Sequence, residues 1–347
     1  MKDFLIVGLG FSGIAFSHEL EKRNISFTVA DAMENNSSTQ ISGGLIHPIT
    51  GRKYQLQWNI DEITGMVKND YTTLGKKFNT SFLSEHSLLK IHRSEEALEE
   101  WHNIKNKASV EGFLNNGFSA QHLSRFIDYR FGYLLIEPVW RVNSHKLISF
   151  YADGLRNENK LMTQRFHHAD LEIHADCFKW QSQRFKHIVF CEGIEALQNP
   201  FFKQIAFKPA KGECMIIKIP NFETDLIIQK DLILIPLGNQ RYWAGATNTW
   251  NDLHSVPTVA GIKELNAGLT SLLKLPYEIL EYKAAIRPTI KDRVPVVGQH
   301  PEIKNMFVLN GMGTKGASLS NYYAKQLYDH IFNGTPVNKE ANINRFY

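Results

Sequence analysis

The chain has 347 residues, a formal charge of +4, 43% hydrophobic and 21% charged residues, ordinary globular values that exclude a disordered or collagen-like chain and leave room for two lobes. No run of five Lys/Arg occurs, so the concentrated basic stripe of a DNA-coating protein is missing, while a local RNA contact stays open. Cys177, Cys191 and Cys214 lie far apart; an odd number without CxxC spacing predicts neither a disulfide framework nor a zinc site and fits a reducing cytoplasm.

Phe4-Leu5-Ile6-Val7 is a short apolar run, the pattern of a strand buried on both faces of a parallel sheet. Glycines interrupt it at once and no small-residue cleavage site follows, so it does not read as a secretory signal. No stretch reaches the roughly 20 apolar residues of a membrane-spanning helix, and a soluble protein is expected. Gly8-Leu9-Gly10-Phe11-Ser12-Gly13 comes next, then a helix-like run over 14–20 and a second β-prone run, Phe27-Thr28-Val29-Ala30. Strand, glycine turn, helix and strand make one βαβ unit.

The glycines fit G-x-G-x-x-G. Alone the pattern is weak, but here it follows a buried strand, opens a helix and is followed by an acid, Asp31, about 20 residues on. Gly8 permits the turn, Gly10 lets the backbone approach a diphosphate, and Gly13 allows close helix–strand packing. The N–H groups and dipole at the helix start, around Phe11 and Ser12, attract phosphate. Asp31 can accept from both ribose hydroxyls and repels a 2′-phosphate, which disfavours NADP. A dinucleotide is predicted; NAD and FAD are not separated by these residues.

Residues 35–54 form a polar, glycine-rich stretch, expected as a functional loop. Residues 58–78 and 95–107 read as helices, and 188–191 as a buried strand ended by Gly193. Short β-prone segments at 213–219, 226–229, 232–235 and 242–245 predict an antiparallel sheet with one face available to cover a pocket. Residues 306–309 resemble another buried strand. Gly311-Met312-Gly313-Thr314-Lys315-Gly316 follows, then a helix over 318–332 stopped by Gly334 and Pro336. The fourteen histidines suggest no metal: His167 and His168 would point apart on a strand, and there is no HExxH or ligand pair on one helix face. No G-x-S-x-G elbow supports acyl transfer.

The segment Ala284-Ala285-Ile286-Arg287-Pro288-Thr289-Ile290-Lys291-Asp292-Arg293-Val294-Pro295-Val296-Val297-Gly298 resembles the end of the D-amino-acid oxidase superfamily, especially glycine and sarcosine oxidases. There an Arg-Pro stretch leads through D-x-x-P-x-x-G to a strand and a glycine-rich turn, as it does here. Ser42-Gly43-Gly44-Leu45-Ile46-His47-Pro48 looks like the family loop that passes the flavin ring. Residues 188–193 resemble its strand beside the cofactor, 211–214 and 244–247 strands of its substrate lobe, and 135–147 the segment leading back to the cofactor domain. The FAD oxidase half of the bifunctional enzyme that modifies the tRNA wobble uridine is also similar, with a Gly-x-(Arg or Lys)-Gly turn and a terminal Asn-x-x-Arg matching Asn342-Ile343-Asn344-Arg345. The resemblance covers nearly the whole chain.

It implies an α/β plus α+β fold. A discontinuous, Rossmann-like FAD-binding domain (1–80, 140–200 and 285–347) would carry an inserted substrate domain (81–139 and 201–284) built on an antiparallel or mixed sheet. FAD would be held by Gly8, Gly10, Phe11, Ser12, Gly13 and Asp31, and further along by Ser42, Gly43, Gly44, Gly193, Gly311, Gly313, Thr314, Lys315 and Gly316. Arg287 would grip a substrate carboxylate, since a planar guanidinium holds one bidentately and keeps its charge; the competing role is a structural ion pair. Lys315 is either a positive charge near the ring or a solvated turn lysine. His47 would sit near the ring and Asn248 in the pocket. Ile233 stands where glycine oxidases carry a tyrosine, so a hydroxyl that would help hold a small amino acid is missing.

The implied reaction oxidises the C–N bond of an amino acid or carboxylate-bearing secondary amine by hydride transfer to flavin N5. Water would hydrolyse the imine, and oxygen or another acceptor would take the electrons. Two other readings stand beside it: a tRNA-modifying oxidase acting on carboxymethylaminomethyl uridine, and a flavin-binding protein without catalysis.

Overall fold

The computed structural model describes residues 1–51, 54–104 and 108–347. Phe4, Leu5, Ile6 and Val7 are at most 4% exposed and form the inner part of the strand Lys2–Val7. Phe27–Ala30 and Gln183–Phe190 flank it, both parallel. Met306–Asn310 extends the parallel set beyond Gln183–Phe190, Leu161–Met162 lies at the other edge, and Val296–Gln299 adds an antiparallel strand. Both faces are covered, as continuous apolar runs require. The helices Phe11–Glu21 and Gly316–Asn333 pack together on one face, and Trp180, Phe185 and Phe202 lie on the other.

The expected βαβ unit is present, with its helix starting at Phe11 rather than Ile14. Phe11 and every residue from Gly13 to Leu20 are buried, so the helix has no polar face for spacing to reveal. Its buried Glu19 is paired instead. Glu19 binds Lys22 and, at 2.6 Å, Arg23. Asp70 of helix Ile60–Lys77 accepts from Lys22 at 3.0 Å and from Asn321 of the last long helix at 2.9 Å. Three helices are thus tied at one buried carboxylate.

The second sheet runs Glu278–Arg287, Ala210–Lys218, Arg241–Gly245, Ile233–Gly238, Ile227–Gln229, Leu83–Ile91, Tyr133–Val142 and Leu45–Ile46. Neighbours are antiparallel except Ile227–Gln229 with Leu83–Ile91, so the sheet is mixed. Strand alternation sends Met215, Leu234 and Ala244 onto Leu265, Leu269 and Leu272 of helix Val259–Leu272. It sends Cys214, Ile233, Ile235 and Trp243 to the opposite face, over a cavity.

Several local expectations are corrected. Residues 35–54 are not a plain loop: Ser38–Ile41 is a short helix, with Ser37 Oγ accepting from Gln40 N–H at 3.3 Å, and Ile49–Thr50 pairs with Gln55–Leu56. Arg52 and Lys53 lie outside the described residues, as do 105–107 of the helix expected over 95–107, which is seen as Glu95–Ile104. His167 and His168 are not on a strand; they enter the 3-10 turn His168–Asp170, where His168 Nε2 lies 2.6 Å from Glu192 Oε1. Among the described residues no helix is long and apolar enough to cross a membrane, and no cluster of His, Cys, Asp and Glu could hold a metal ion.

Candidate active site

Two cavities of about 620 and 660 Å³ share a border at Gly10, Thr39, Cys191 and Gly193. The larger is bounded by the glycine loop, Asp31 and residues that follow it; the smaller runs from the loop at 42–47, under the second sheet, to the turn 313–316.

Close approach dictates the glycines at the border. Gly8 has φ +101°, and a Cβ there would stand 2.4 Å from the Cys191 carbonyl oxygen. One on Gly13 would stand 1.9 Å from the Gly8 oxygen, so only glycine lets the helix meet its own loop. No side chain caps this helix at Gly10. Phe11 N–H donates to Thr39 Oγ1 at 3.1 Å, which seats the Ser38–Ile41 helix on the loop. Asp31 braces the loop from the other side: its two oxygens accept from Leu9 N–H and Met33 N–H, each at 2.6 Å. Burial raises its pKa, and those two N–H groups oppose the rise. Each oxygen keeps a further lone pair, and the carboxylate lines the larger cavity.

The last long helix brings a second N-terminus to the cleft. No side chain caps it at Lys315. Gly316 lies so near Phe11 that a Cβ would meet Cδ2 at 2.8 Å, and Ser12 Oγ is 3.5 Å from Ser320 Oγ. Gly313, Thr314, Lys315 and Gly316 line the smaller cavity. Gly311 lines neither; its φ is +80° and its Cα faces Ile290, so it serves the turn and its packing rather than the cleft as expected. Two helix starts whose own N-cap residues supply no capping side chain lie along one elongated cleft and fit an extended dinucleotide, since both favour negative charge.

Across the cleft, Gly43 and Gly44 press on the sheet: a Cβ on Gly43 would meet Ile235 Cδ1 at 2.7 Å, and one on Gly44 the Val142 oxygen at 1.9 Å. Ser42 Oγ accepts from Gly44 N–H at 2.9 Å, and Trp243 Nε1 donates to the Ile41 oxygen at 3.0 Å.

Arg287 ends its strand at this wall. Its Nη1 donates to the Thr247 oxygen and to Asn248 Oδ1, both at 3.2 Å, and Nη2 donates to the same Thr247 oxygen at 3.2 Å. These acceptors are all neutral. Among the described residues no Asp or Glu lines this cavity, and none pairs with Arg287. The ion-pair role is therefore not seen. Burial lowers the guanidinium pKa, but an arginine keeps its charge. Lys315 adds a second positive group, its pKa lowered by desolvation. His47 is drawn down to about 4 by burial first and by Lys90 second, so it is neutral at pH 7.

Ile233, Asn248 and His47 all line this cavity, as expected from the sequence. Thr39, Gln57, Gln229 and Trp243 line it too and were not picked out by sequence reasoning. For the sheet residues a signal existed: once Ile233 faces a pocket, register puts Gln229, Ile235 and Trp243 on the same face.

The family model described as "DAO: FAD dependent oxidoreductase" matches residues 3–330. Glycine oxidase of Bacillus subtilis (strain 168) is 27% identical over 167 residues, 45% of this chain and 42% of that protein. Glycine oxidase of Bacillus licheniformis is 28% identical over 162 residues, 45% of this chain and 43% of that protein. The matched stretch thus spans less than half the length of these curated relatives. The solved glycine oxidase from Bacillus cereus ATCC 14579 superposes with a TM-score of 0.80 at 16% identity, covering 97% of this chain and 96% of that one. Iminodiacetate oxidase from Chelativorans sp. BNC1 gives 0.77 at 15%, covering 97% and 98%. These two structures share the fold.

Proposed function

Because the chain belongs to the DAO family of FAD dependent oxidoreductases, we propose that it oxidises the C–N bond of an amino acid or another amine that carries a carboxylate. FAD is its cofactor. The observation that carries the substrate reading is Arg287: a guanidinium held only by neutral acceptors, in a cavity without a carboxylate of its own among the described residues. Such a charge is balanced best by an anionic ligand.

Bound FAD would supply the two-electron oxidation, accepting a hydride equivalent from the carbon beside the nitrogen and passing the electrons to oxygen or another acceptor. The protein's part is to hold and orient. Gly8, Gly10, Phe11, Ser12 and Asp31 would hold the adenosine diphosphate half, while Gly13, which lines neither cavity, lets the helix close on the loop. Ser42, Gly43, Gly44, Gly193, Gly313, Thr314, Lys315 and Gly316 would border the other half. Arg287 fixes the substrate carboxylate, which turns binding energy into orientation of the reacting carbon. Lys315 and the adjoining helix start keep a positive potential at the cavity edge. Ile233 gives the sheet wall no hydroxyl, so a substrate larger than glycine suits it better. The strands of the first sheet fall within 1–80, 140–200 and 285–347, which supports a cofactor domain there and a substrate domain over 81–139 and 201–284, with Leu45–Ile46 crossing to the second sheet.

The test mixes flavin-loaded protein anaerobically with a panel of amino acids and N-substituted glycines, and with the same amines lacking the carboxylate. Bleaching of the flavin by carboxylate-bearing members alone is expected. Bleaching indifferent to the carboxylate, or none with any amine, would reject the reading. Salt-sensitive tRNA binding with turnover only of RNA would move the assignment to the tRNA-modifying oxidase.

A further inference from the structure

Away from Arg287, the smaller cavity holds a second set of polar groups. Gln57 is 5% exposed, and its Nε2 has no hydrogen-bond partner; the same holds for Gln229 Oε1 and His47 Nδ1. All three residues line this cavity. They come together because the hairpin of Ile49–Thr50 and Gln55–Leu56 folds over the sheet: Gln57 N–H donates to the Pro48 oxygen at 2.7 Å, and Lys90 Nζ donates to the Gly51 oxygen at 3.0 Å. Lys90 is the register partner of Gln229. None of the three lies on the first or last long helix, whose starts face the diphosphate cleft. Leaving buried polar atoms unpaired is costly, so three in one cavity point to a ligand that pairs them.

We propose that Gln57, Gln229 and His47 form a second substrate subsite for a neutral carboxamide, so that the molecule oxidised carries a carboxylate at one end and a primary amide at the other. The proposal rests on the carboxylate-binding reading of Arg287. The chemistry is specific. A carboxamide oxygen accepts from Gln57 Nε2, while its N–H groups donate to Gln229 Oε1 and to an unprotonated His47 Nδ1. A cationic tail is disfavoured by Lys90, Lys315 and Arg287, with no acidic residue among the described lining. A second carboxylate would set its oxygens against Gln229 Oε1.

Size agrees. The strand of Gly245, whose end holds the guanidinium through Thr247 and Asn248, lies two strands from that of Gln229, about 10 Å at the usual strand spacing. Glycine cannot bridge that gap; a chain of several carbons with side chains reaching from both sides can.

The test titrates flavin-loaded protein with malonamate, succinamate and glutaramate, with the dicarboxylates of equal length, and with alkyl carboxylates in which an isopropyl group replaces the amide. The readout is the shift in flavin absorbance. At one length at least, the amide should bind ten-fold or more tighter than both counterparts, and Gln57→Leu and Gln229→Leu should bring that ratio toward one. Gln57→Met serves if Gln57→Leu does not retain flavin. Equal binding by the alkyl or dicarboxylate ligands at every length, or a ratio that survives both substitutions, overturns the subsite. Arg287→Met separates the two readings: it should weaken all three ligand series alike, and failure to do so rejects the carboxylate reading whatever the amide ratio. No spectral shift with any ligand overturns both.

Discussion

Nη2 of Arg287 lies so close over Gly212 that a Cβ on that glycine would stand 2.1 Å from it. The guanidinium folds back across the neighbouring strand, where Gly212 pairs with Ala285 and Ala210 with Arg287. Gly212 needs no unusual backbone angle; its missing side chain is the space the guanidinium occupies.

Gly212→Ala should therefore behave as an arginine mutation while leaving Arg287 in the sequence. Losing one charged hydrogen-bonding contact costs about 1.5–3 kcal/mol, so kcat/KM for a carboxylate-bearing amine should fall roughly ten- to a hundred-fold. Arg287→Lys should be as weak, because an ammonium cannot reproduce the planar fork. Flavin content equal to wild type with intact turnover in Gly212→Ala would contradict this packing.

Asp31→Asn should loosen the cofactor. Both carboxylate oxygens accept backbone N–H groups at 2.6 Å; an asparagine keeps one accepting oxygen and turns its NH2 donors against the other N–H. A penalty of about 1–3 kcal/mol corresponds to roughly five- to 150-fold faster loss of FAD on dilution, followed by the fluorescence of released flavin.

Gly13→Ala should cost stability as well as flavin. A Cβ 1.9 Å from the Gly8 oxygen forces the helix off its strand, at about 3 kcal/mol. Thermal unfolding should show a lower Tm in the apo protein too. An unchanged apo Tm would mean the loop is not packed as described.

Acid should weaken the fold partly through His47. Its folded pKa is about 4 against 6.5 when unperturbed, so between those values the unfolded chain binds the proton and the folded one does not. Stability then rises with pH across that window, and falls as pH drops from 6.5 toward 4. The gap is worth at most about 3 kcal/mol. Urea unfolding at pH 7 and pH 4.5 should show a smaller acid loss in His47→Gln than in wild type. His92, also drawn down to about 4, keeps some of the loss in both.

The cofactor fold was legible in the sequence because parallel strands buried on both faces appear as unbroken apolar runs, and because Gly8, Gly10 and Gly13 mark a turn few other sequences can make. Arg287, Lys315 and His47 were reachable through the family resemblance. Gln57 and Thr39 were not, since they enter the cavity through a short hairpin and a one-turn helix inside a stretch with no period to read. Gln229 was hidden differently: its face depends on register with Ile233 and Lys90, which the strand alone does not carry. The pair at His167 and His168 misled because alternation was assumed where the chain makes a tight turn.

The two helix starts that border the cleft belong to opposite ends of the reading order: Ser12 and Ser320, 3.5 Å apart, are separated by 308 positions. At ribosomal speeds of about 5–20 residues per second, the earlier partner waits on the order of 15 to 60 seconds for the later one. Until then the nascent chain owns only half a nucleotide cradle. The full cradle therefore waits on synthesis of the last long helix, and a chain truncated before Gly316 is expected to purify without colour.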